Sequence, residues 1–449
     1  MVRRHRRGTR EFRGPARRGA LLVAALVGTV VLSSCANVTV LTVTHAGDTD
    51  GVTRTTIRVG AMGSFSGFAS SDFAPVTTGV AAYFDQLNAS GGVHGRKIVY
   101  APLVDDGTSP TGDAAAAQRL VQSQVFAVVG VGTPFFTGSS ILRSHAVPTF
   151  GIQENTNAQW SGPTMFGAGG SYSDPTRPMP QVAYVAQQTH SRVAAVLAYN
   201  VAQSSGGCVS LVTALTKYHI PTPVVDFSIP YGAATLDADV TRMQQHGVDF
   251  VATCMDATGN IKLSQTLQQH GMGSVTQYWL DGYDSQILRD NGSALDGAYF
   301  FLQQTPFEVA TLDPGVYPGI DAFLAALHRY APGTTPSGTA LAGWVSADLF
   351  TQGLRAIGND VTRTALVRAI NRLDSFTADG AYPPTDWRVA HTGVSGLDCT
   401  TFVQARRLRF VPVFTTSQSV YSCYDQLAPA GPAPTTVTTL PLQPGVPGR

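Results

Sequence analysis

The chain has 449 residues, of which 43% are hydrophobic and 13% are charged. That length and composition allow two packed domains and exclude a disordered chain. The formal net charge is +1, but eight arginines and one acidic residue precede Cys35 and leave a remainder with 22 basic and 28 acidic residues, a net charge of −6. A remainder of that charge is not a nucleic-acid-binding protein, so no nucleic-acid partner is expected.

Residues 1–34 have the pattern of a bacterial export signal. Eight arginines within the first 18 residues precede an apolar run, Ala20 to Leu32, which is too short to span a bilayer comfortably. The run ends at Leu32-Ser33-Ser34-Cys35, which resembles the lipobox of lipoproteins, in which the cysteine is acylated. An ordinary secretory signal with a chance cysteine is the alternative. We therefore expect a lipid anchor on Cys35 at the outer face of the bacterial cytoplasmic membrane, reached by general or twin-arginine export.

Four more cysteines follow Cys35. Export brings them to an oxidising compartment, where two disulfides are the expected state, and their spacings match no zinc-site pattern. Cys399 and Cys423 flank a strand-like run, Phe402 to Phe414, and we predict that they staple a terminal hairpin. Cys208 and Cys254 are then the remaining pair. No metal and no other cofactor is expected.

Two flanking segments lack the pattern of a packed core. Residues 35–54 are predicted to be a tether, and the Pro- and Thr-rich residues 425–449 a disordered tail. Between them, short β-rich runs alternate with longer amphipathic stretches, beginning with Thr56 to Met62, Gly79 to Leu87, Lys97 to Val104, Gly112 to Gln122 and Ala127 to Gly130. This alternation predicts βαβ units and a parallel sheet.

A second series of the same kind begins after a Gly- and Pro-rich stretch at residues 167–180. It comprises Gln181 to Gln188, Ala194 to Tyr199, Gly207 to Tyr218 and Val224 to Phe227. The restart predicts a second α/β lobe. Helical patterns return later, at Gly319 to Tyr330 and Leu341 to Ile357.

Between residues 55 and 424 the chain resembles the branched-chain amino acid (Leu/Ile/Val) binding family of periplasmic-type solute receptors. The stretches that carry the resemblance are Ile57-Arg58-Val59-Gly60, Gly63-Ser64-Phe65-Ser66-Gly67, Phe84-Asp85-Gln86-Leu87-Asn88, Gly91-Gly92-Val93-His94-Gly95-Arg96, Val104-Asp105-Asp106, Phe376-Thr377-Ala378-Asp379-Gly380 and Tyr382-Pro383-Pro384. The resemblance implies the type I periplasmic binding protein fold, in which two Rossmann-like α/β lobes with parallel central sheets are joined by a three-crossover hinge. Lobe 1 would comprise residues 55–178 and about 303–375, and lobe 2 residues 179–302 and about 376–424.

The resemblance also implies a function. The chain would be a monomeric receptor that binds a small polar solute, an amino acid or a related amide, in the interlobe cleft and passes it to the permease subunits of an ABC importer. A sensor that signals to a membrane partner would use the same cleft and is the alternative.

Candidate ligand contacts on the first wall lie in three loops that follow strands, where ligands of open α/β sheets bind. The first loop contributes Ser66, Gly67 and Asp72; the second contributes Thr133, Pro134 and Phe135; the third contributes Gln153, Glu154 and Asn155. We expect Thr133 to cap a helix with Pro134 in its first turn, a place that can hold a carboxylate or can serve capping alone. Asp72 would bind an amine or face water, and Glu154 would bind ligand or be a solvated loop carboxylate.

Candidates on the second wall are Asn200, Ser204, Asp256, Asp281 and Asp284. Asp281 or Asp284 is expected to pair with a ligand cation, since a buried charge needs a partner, although Asp284 could equally cap a helix. Ser204 stands where the resemblance implies a tyrosine, so that aromatic shelf is predicted to be missing.

No residue pattern in the chain indicates catalysis. Asp105 and Asp106 precede Gly-Thr-Ser-Pro and an Ala-rich helix, which favours turn formation and capping over a catalytic carboxylate pair. Neither a nucleophile elbow, a phosphate loop nor a nicotinamide fingerprint occurs. An exported enzyme therefore ranks below the receptor and the sensor, and no catalytic residue is assigned.

Overall fold

The computed structural model describes residues 47–153, 157–171, 178–233, 235–392, 399–416 and 419–424. The predicted export signal, the acylation site Cys35 and the predicted tail 425–449 lie outside these residues. None of the helices in the described ranges combines the length and the apolar character needed to cross a bilayer.

The first sheet has five parallel strands in the order β2-β1-β3-β4-β5. They are β1 Thr56–Gly63, β2 Lys97–Asp105, β3 Ala127–Gly132, β4 Thr149–Gly151 and β5 Met165–Gly167. β3 is buried along its whole length. This is what a parallel strand covered by helices on both faces requires, and it explains the unbroken apolar run in the sequence.

The second sheet has the order β12-β11-β10-β9-β8-β6-β7, with β13 paired to β11. Its strands are β6 Ala194–Tyr199, β7 Val224–Ile229, β8 Phe250–Cys254, β9 Thr276–Trp279, β10 Tyr299–Leu302, β11 Cys399–Arg406, β12 Arg409–Val413 and β13 Ser422–Cys423. Strands β6 to β10 pair in parallel, and β11 joins β10, β12 and β13 in antiparallel fashion. Two mostly parallel sheets confirm the predicted α/β class.

Fourteen helices lie in the described ranges. They are α1 Ser70–Phe73, α2 Pro75–Ala89, α3 Pro110–Gln122, α4 Ser139–Ser144, α5 Asn157–Trp160, α6 Pro180–Gln188, α7 Ala202–Lys217, α8 Asp237–Gln245, α9 Ala257–Gln269, α10 Ser285–Leu295, α11 Val309–Leu312, α12 Pro318–Tyr330, α13 Gly338–Ile357 and α14 Arg363–Ile370.

Helices α2 and α13 pack together against the first sheet because glycine lets their backbones approach. A Cβ atom on Gly79 of α2 would lie 1.7 Å from the Ala340 carbonyl oxygen, and one on Gly343 of α13 would lie 2.0 Å from that of Val76. No larger residue fits at either point unless the helices separate. The late helix α13 is thereby fixed in the core of the first lobe, where Trp344 and Phe350 are buried.

Within the described residues, the chain alternates between the hydrophobic cores of the two lobes. It leaves the core of the first lobe after β5, returns after β10 to form α11 to α14, and is in the second lobe again from β11, while Val420 packs once more on the first core. The last boundary differs from the expected one at residue 376. Phe376, Tyr382 and Trp387 are buried in the first core, so residues 376–390 belong with lobe 1 rather than lobe 2.

Residues 47–54 are folded onto the first lobe, which corrects this part of the predicted tether 35–54. The backbone N–H of Arg363 donates to the Asp48 carbonyl at 2.8 Å. The Asp48 carboxylate in turn accepts from the Thr364 N–H at 2.8 Å. The guanidinium of Arg363 donates to the carbonyls of Phe126 at 2.9 Å and Val125 at 2.6 Å, and lies 3.6 Å from Asp50. Arg363 therefore ties the N-terminal segment to the start of β3.

The Cys208–Cys254 disulfide is confirmed and joins α7 to the end of β8, with 5.8 Å between the two Cα atoms. The backbone register of β11 and β13 places Cys399 directly opposite Cys423, while the side chains of these two residues lie outside the described part of the chain. The second disulfide stays a prediction.

We expect peptide mapping without reduction to find Cys399 joined to Cys423 as well as Cys208 to Cys254. Each bridge would contribute about 2–4 kcal/mol, largely by restricting the unfolded chain. Alkylation of Cys399 and Cys423 in the untreated protein would contradict the second pairing and leave the first intact.

Candidate functional site

Ser66 and Gly67 lie in the loop that follows β1. Asp105, at the end of β2, accepts hydrogen bonds from the backbone N–H of Phe65 at 3.0 Å, from the Ser66 N–H at 3.1 Å and from the Ser66 hydroxyl at 2.5 Å. Burial alone would raise the pKa of the Asp105 carboxyl, but these hydrogen bonds lower it on balance. Asp105 thus holds the loop in shape, as the turn-forming interpretation predicts.

Asp72 lies further along the same loop, in the short helix α1, with its side chain reaching solvent. Its backbone carbonyl accepts from the Thr339 hydroxyl at 2.8 Å, which fixes α1 to the start of α13. Partial loss of hydration raises the pKa of the Asp72 carboxyl. The hydrogen bond from the Ser71 hydroxyl lowers this pKa, whereas the negative charge of Asp256 in the second lobe raises it further. Asp72 therefore lies close enough to the second lobe for the charge of Asp256 to act on its carboxyl.

Thr133 and Pro134 do not begin a helix, which corrects the predicted cap. The next helix, α4, begins at Ser139 after Gly138 and has no side-chain cap. Thr133 is 1% exposed, and its hydroxyl accepts from the Phe135 N–H at 3.3 Å. The carboxylate-binding helix end expected here is absent from the described residues of this loop.

A buried carboxylate of α3 organises that loop instead. Asp113 is fully buried and accepts from the Gly138 N–H at 2.6 Å and from the Thr137 hydroxyl at 3.3 Å. Burial raises its pKa to about 6, the Gly138 N–H opposes the shift, and the neighbouring charge of Asp106 reinforces it. These contacts hold residues 133–138 in a turn, with Phe135 half-buried at its surface.

The third predicted loop of the first wall follows β4. Gln153 is half-buried there and packs beside Gly167 of β5, where a Cβ atom would come within 2.6 Å of the Gln153 Cβ. Glu154 and Asn155 lie outside the described residues, so their predicted ligand contacts stay predictions.

Ser204 has a structural position in the second lobe. Its hydroxyl accepts from the Tyr199 N–H at 2.8 Å and donates to the Cys254 carbonyl at 2.5 Å, so it fastens the start of α7 to the ends of β6 and β8. Asn200, which follows β6, is exposed, and its N–H donates to the Ile229 carbonyl at 2.9 Å. Of these two side chains, only that of Asn200 is left facing solvent.

Asp256 collects hydrogen bonds from three directions at the end of β8. It caps α9 through the Gly259 N–H at 2.8 Å, and it accepts from the hydroxyls of Tyr199 at 2.8 Å and Tyr231 at 3.0 Å. The two tyrosine rings lie 4.9 Å apart, with Tyr199 4% exposed and Tyr231 57% exposed. Asp256 is therefore a helix cap that also fixes a pair of phenols.

Tyr231 is a candidate contact that the sequence reasoning missed. Burial and the carboxylate of Asp256 raise its pKa to about 12, with smaller contributions from Asp72 and Asp281. Its exposed ring offers an aromatic surface beside Tyr199 and Asp256. Its position just after β7, at the carboxyl end of a strand, was the available signal.

Asp281 and Asp284 have different roles. Asp284 caps α10 by accepting from the N–H groups of Gln286 at 2.6 Å and Ile287 at 3.0 Å, so the helix-cap alternative holds for this residue. Asp281 accepts from the Gly282 N–H at 2.7 Å, and Gly282 has a φ of +119° that favours glycine. Asp281 is an exposed residue; the protein packed around its carboxyl raises its pKa to about 6, and the charges of Asp72 and Asp256 add to the shift.

The charge of Asp256 therefore adds to the raised pKa of Asp72, and the charges of Asp72 and Asp256 both add to the raised pKa of Asp281. Negative groups held close together favour a positively charged partner. Across the described ranges, no set of three or more His, Cys, Asp or Glu side chains is arranged to hold a metal ion. The arrangement suits an organic cation or a donor-rich solute.

Comparison with solved structures places the fold among receptors for unlike solutes. A fatty acid ABC transporter substrate-binding protein from Thermomonospora curvata superposes with a TM-score of 0.67 at 17% identity, over 86% of this chain and 96% of that one. A branched-chain amino acid transporter substrate-binding protein from Streptococcus pneumoniae, in complex with isoleucine, gives 0.62 at 18% identity over 80% and 99% of the two chains. A solute-binding protein of an ABC transporter from R. palustris, in complex with benzoate, gives 0.60 at 18% identity over 80% and 95%.

At these identities the likeness shows the fold, the type I periplasmic binding protein architecture, and not the solute. A comparison with curated protein sequences gives no significant match. The model of the periplasmic binding protein family matches residues 56–407, which is most of the chain. The family and the structural neighbours are binding proteins rather than enzymes. The chain belongs to the periplasmic binding protein family.

Proposed function

We propose that this protein is an extracytoplasmic, lipid-anchored receptor that captures a small polar solute between its lobes and delivers it to the permease of an ABC importer. The observation that supports the proposal is the match to the periplasmic binding protein family over residues 56–407, together with the exposed residues Asp72 and Asp281, which follow strands β1 and β9 of the two lobes. A nearby cation would stabilise the charged form of the Asp281 carboxyl, because it offsets the repulsion from the neighbouring carboxylates.

The solute that fits best carries a positive group, as an amino acid does. Its cation would contact Asp281, with Asp72 approaching from the first lobe and the exposed ring of Tyr231 beside it. Bridging both lobes in this way would favour the closed form, because the contacts exist only when the walls meet. The absence of a helix end at Thr133 leaves the first wall without the expected carboxylate site, so a related amide stays a candidate beside the amino acid.

Mass spectrometry of the solute released from the purified protein tests the proposal. We expect an unchanged small molecule with an amine or another cationic group, recovered at up to one equivalent per chain. Recovery of a chemically converted product would contradict the receptor function. Recovery of an uncharged solute would contradict the role of Asp281 and leave the receptor function standing.

Replacing Cys35 with alanine is expected to release the protein from membranes without altering solute affinity, because the candidate solute contacts all lie after residue 65, far from Cys35 in the sequence. One acyl chain binds a bilayer only weakly, so stable retention of the unchanged protein implies more than one chain. Fractionation of cells followed by immunoblotting measures the change. Equal membrane retention of the Cys35→Ala variant would contradict the lipoprotein proposal.

A further inference from the structure

Tyr283 connects the Asp281 loop with one of the crossovers between the lobes. Its hydroxyl donates to Oε2 of Glu308 at 2.6 Å and accepts from the backbone N–H of Phe307 at 2.9 Å. Glu308 and Phe307 lie in the segment between β10 and α11, where the chain returns from the second lobe to the first. One phenol therefore makes two hydrogen bonds to the crossover.

The ring of Tyr283 also lies between the two hydrophobic cores. On one side it stacks on Phe307, with ring centroids 5.5 Å apart, and Phe307 stacks on Phe323 of the first core at 5.8 Å. On the other side it contacts Phe410 of β12 at 4.8 Å, and Phe410 packs on Phe300 of the second core at 5.2 Å. Tyr283 therefore contacts aromatic rings of both lobes.

The path from this ring to the Asp281 carboxylate is short and constrained. Gly282 is buried between the two residues, and a Cβ there would come within 3.0 Å of the Phe300 ring. The Gly282 carbonyl accepts from the Asp284 N–H at 2.9 Å, while Asp284 is held at the start of α10. The turn between Asp281 and Asp284 is therefore short and closely packed.

We propose that Tyr283 is a positioning residue that couples the Asp281 loop to the hinge. Its hydroxyl keeps residues 281–284 attached to residues 307 and 308, so the angle between the lobes and the place of the Asp281 carboxylate change together. The inference rests on the proposed function only in treating Asp281 as a ligand contact. The coupling itself concerns the solute-free protein.

The test measures the solute-free, full-length chain by two methods. Spin labels carried on p-acetylphenylalanine, which leave the cysteines untouched, replace the exposed residues Ser90 in the first lobe and Gln244 in the second, and pulsed electron resonance gives the interlobe distance distribution. Hydrogen exchange followed by mass spectrometry reports on the Phe307 amide. The variants are Tyr283→Phe, Glu308→Ala and Glu308→Gln, of which Glu308→Gln keeps an acceptor for the phenol.

A matched control comes from a second buried tyrosine in the strand before the loop. The hydroxyl of Tyr278 has no hydrogen-bond partner among the described residues, so Tyr278→Phe removes the same atom without removing a contact. We expect Tyr283→Phe to raise exchange at the Phe307 amide by about tenfold and to broaden the interlobe distance distribution. Glu308→Ala should broaden it similarly, whereas Glu308→Gln and Tyr278→Phe should leave it unchanged.

An unchanged distance distribution in Tyr283→Phe, with the Phe307 amide exposed, would overturn the coupling and leave Tyr283 a local packing role. If Tyr283→Phe does not fold, the comparison of Glu308→Ala with Glu308→Gln decides, and equal distributions in those two would overturn the proposal. Neither result depends on a solute. Failure to recover a cationic solute would count against the proposed role of Asp281 in solute binding and not against the coupling.

Discussion

Solute binding is expected to weaken by about 2–5 kcal/mol when Asp281 is replaced by alanine. That change corresponds to a loss in affinity of roughly 30-fold to several thousandfold. The reason is that closure of the lobes on the solute would bury the pair formed by the ligand cation and Asp281, so that removing the carboxylate leaves a buried cation without its partner. Calorimetric titration with the solute recovered from the unchanged protein measures the effect.

Asp284→Ala is the matched control, since Asp284 lies three residues away but accepts from the N–H groups at the start of α10. Removing it should cost about 1 kcal/mol of stability, as the loss of a helix cap usually does, and little affinity. An unchanged affinity in both variants would mean that the second wall recognises an uncharged group. The amino-acid assignment should then be dropped in favour of an amide or another neutral solute.

The Asp281 carboxyl also makes solute binding depend on pH. The pKa of Asp281 is raised from 3.8 to about 6 in the folded, solute-free protein, so the carboxylate that attracts a cation is lost as the pH falls through 6. Affinity should drop by up to about tenfold per pH unit below that value. The free energy of unfolding of the solute-free protein should instead rise as the pH falls. A carboxyl with a raised pKa contributes its full stabilisation below pH 3.8 and progressively less as the pH rises through 6. Affinity independent of pH between 5 and 7 would contradict this role.

Arg363→Ala is expected to destabilise the first lobe by about 3–5 kcal/mol, the usual cost of removing one partner of a buried charged network. The Arg363 side chain is 7% exposed, and without it the carbonyls of Val125 and Phe126 lose their donors while Asp50 loses its partner. Urea unfolding followed by fluorescence of the tryptophans measures the change, with limited proteolysis at residues 47–54 as a local readout.

Arg388→Ala provides the comparison for that experiment. Arg388 pairs with Asp386 at 2.7 Å, but its side chain is 56% exposed, and ion pairs that are open to water contribute little to stability. A similar loss of stability in the two variants would show that burial of Arg363 is not what makes it important.

The sequence predicted the fold well wherever hydrophobic period and glycine spacing decide the structure. The predicted strand Thr56 to Met62 corresponds to β1, and the predicted helix Gly112 to Gln122 to most of α3. Assignment of residues 376–390 to a lobe was wrong because buried side chains such as Phe376 and Trp387 indicate burial without saying in which core. Only the tertiary structure distinguishes two adjacent apolar cores.

The candidate site was less accessible to sequence reasoning for similar reasons. Thr133-Pro134 has good helix-start chemistry, but Phe136 adopts a positive φ of +40° and Asp113 holds the turn from another helix. Ser204 and Asp284 have the polar side chains expected of ligand contacts, yet local backbone groups engage both. Tyr231 was overlooked because the sequence Pro-Tyr-Gly is typical of a turn, although it follows a strand.

The pairing of α2 with α13 has a consequence for how the protein is made. Residues 75–89 cannot bury their glycine face until residues 338–357 arrive, so the first lobe depends on contacts between distant parts of the chain, which form slowly. Strands β6 to β10 of the second lobe, by contrast, come from the continuous segment 194–302. In a chain that emerges N-terminus first, we expect β6 to β10 to pair before α13 covers α2, and β11 to β13 to join the second sheet last, so both lobes stay incomplete and open to proteases and aggregation until the C-terminal part of the chain arrives.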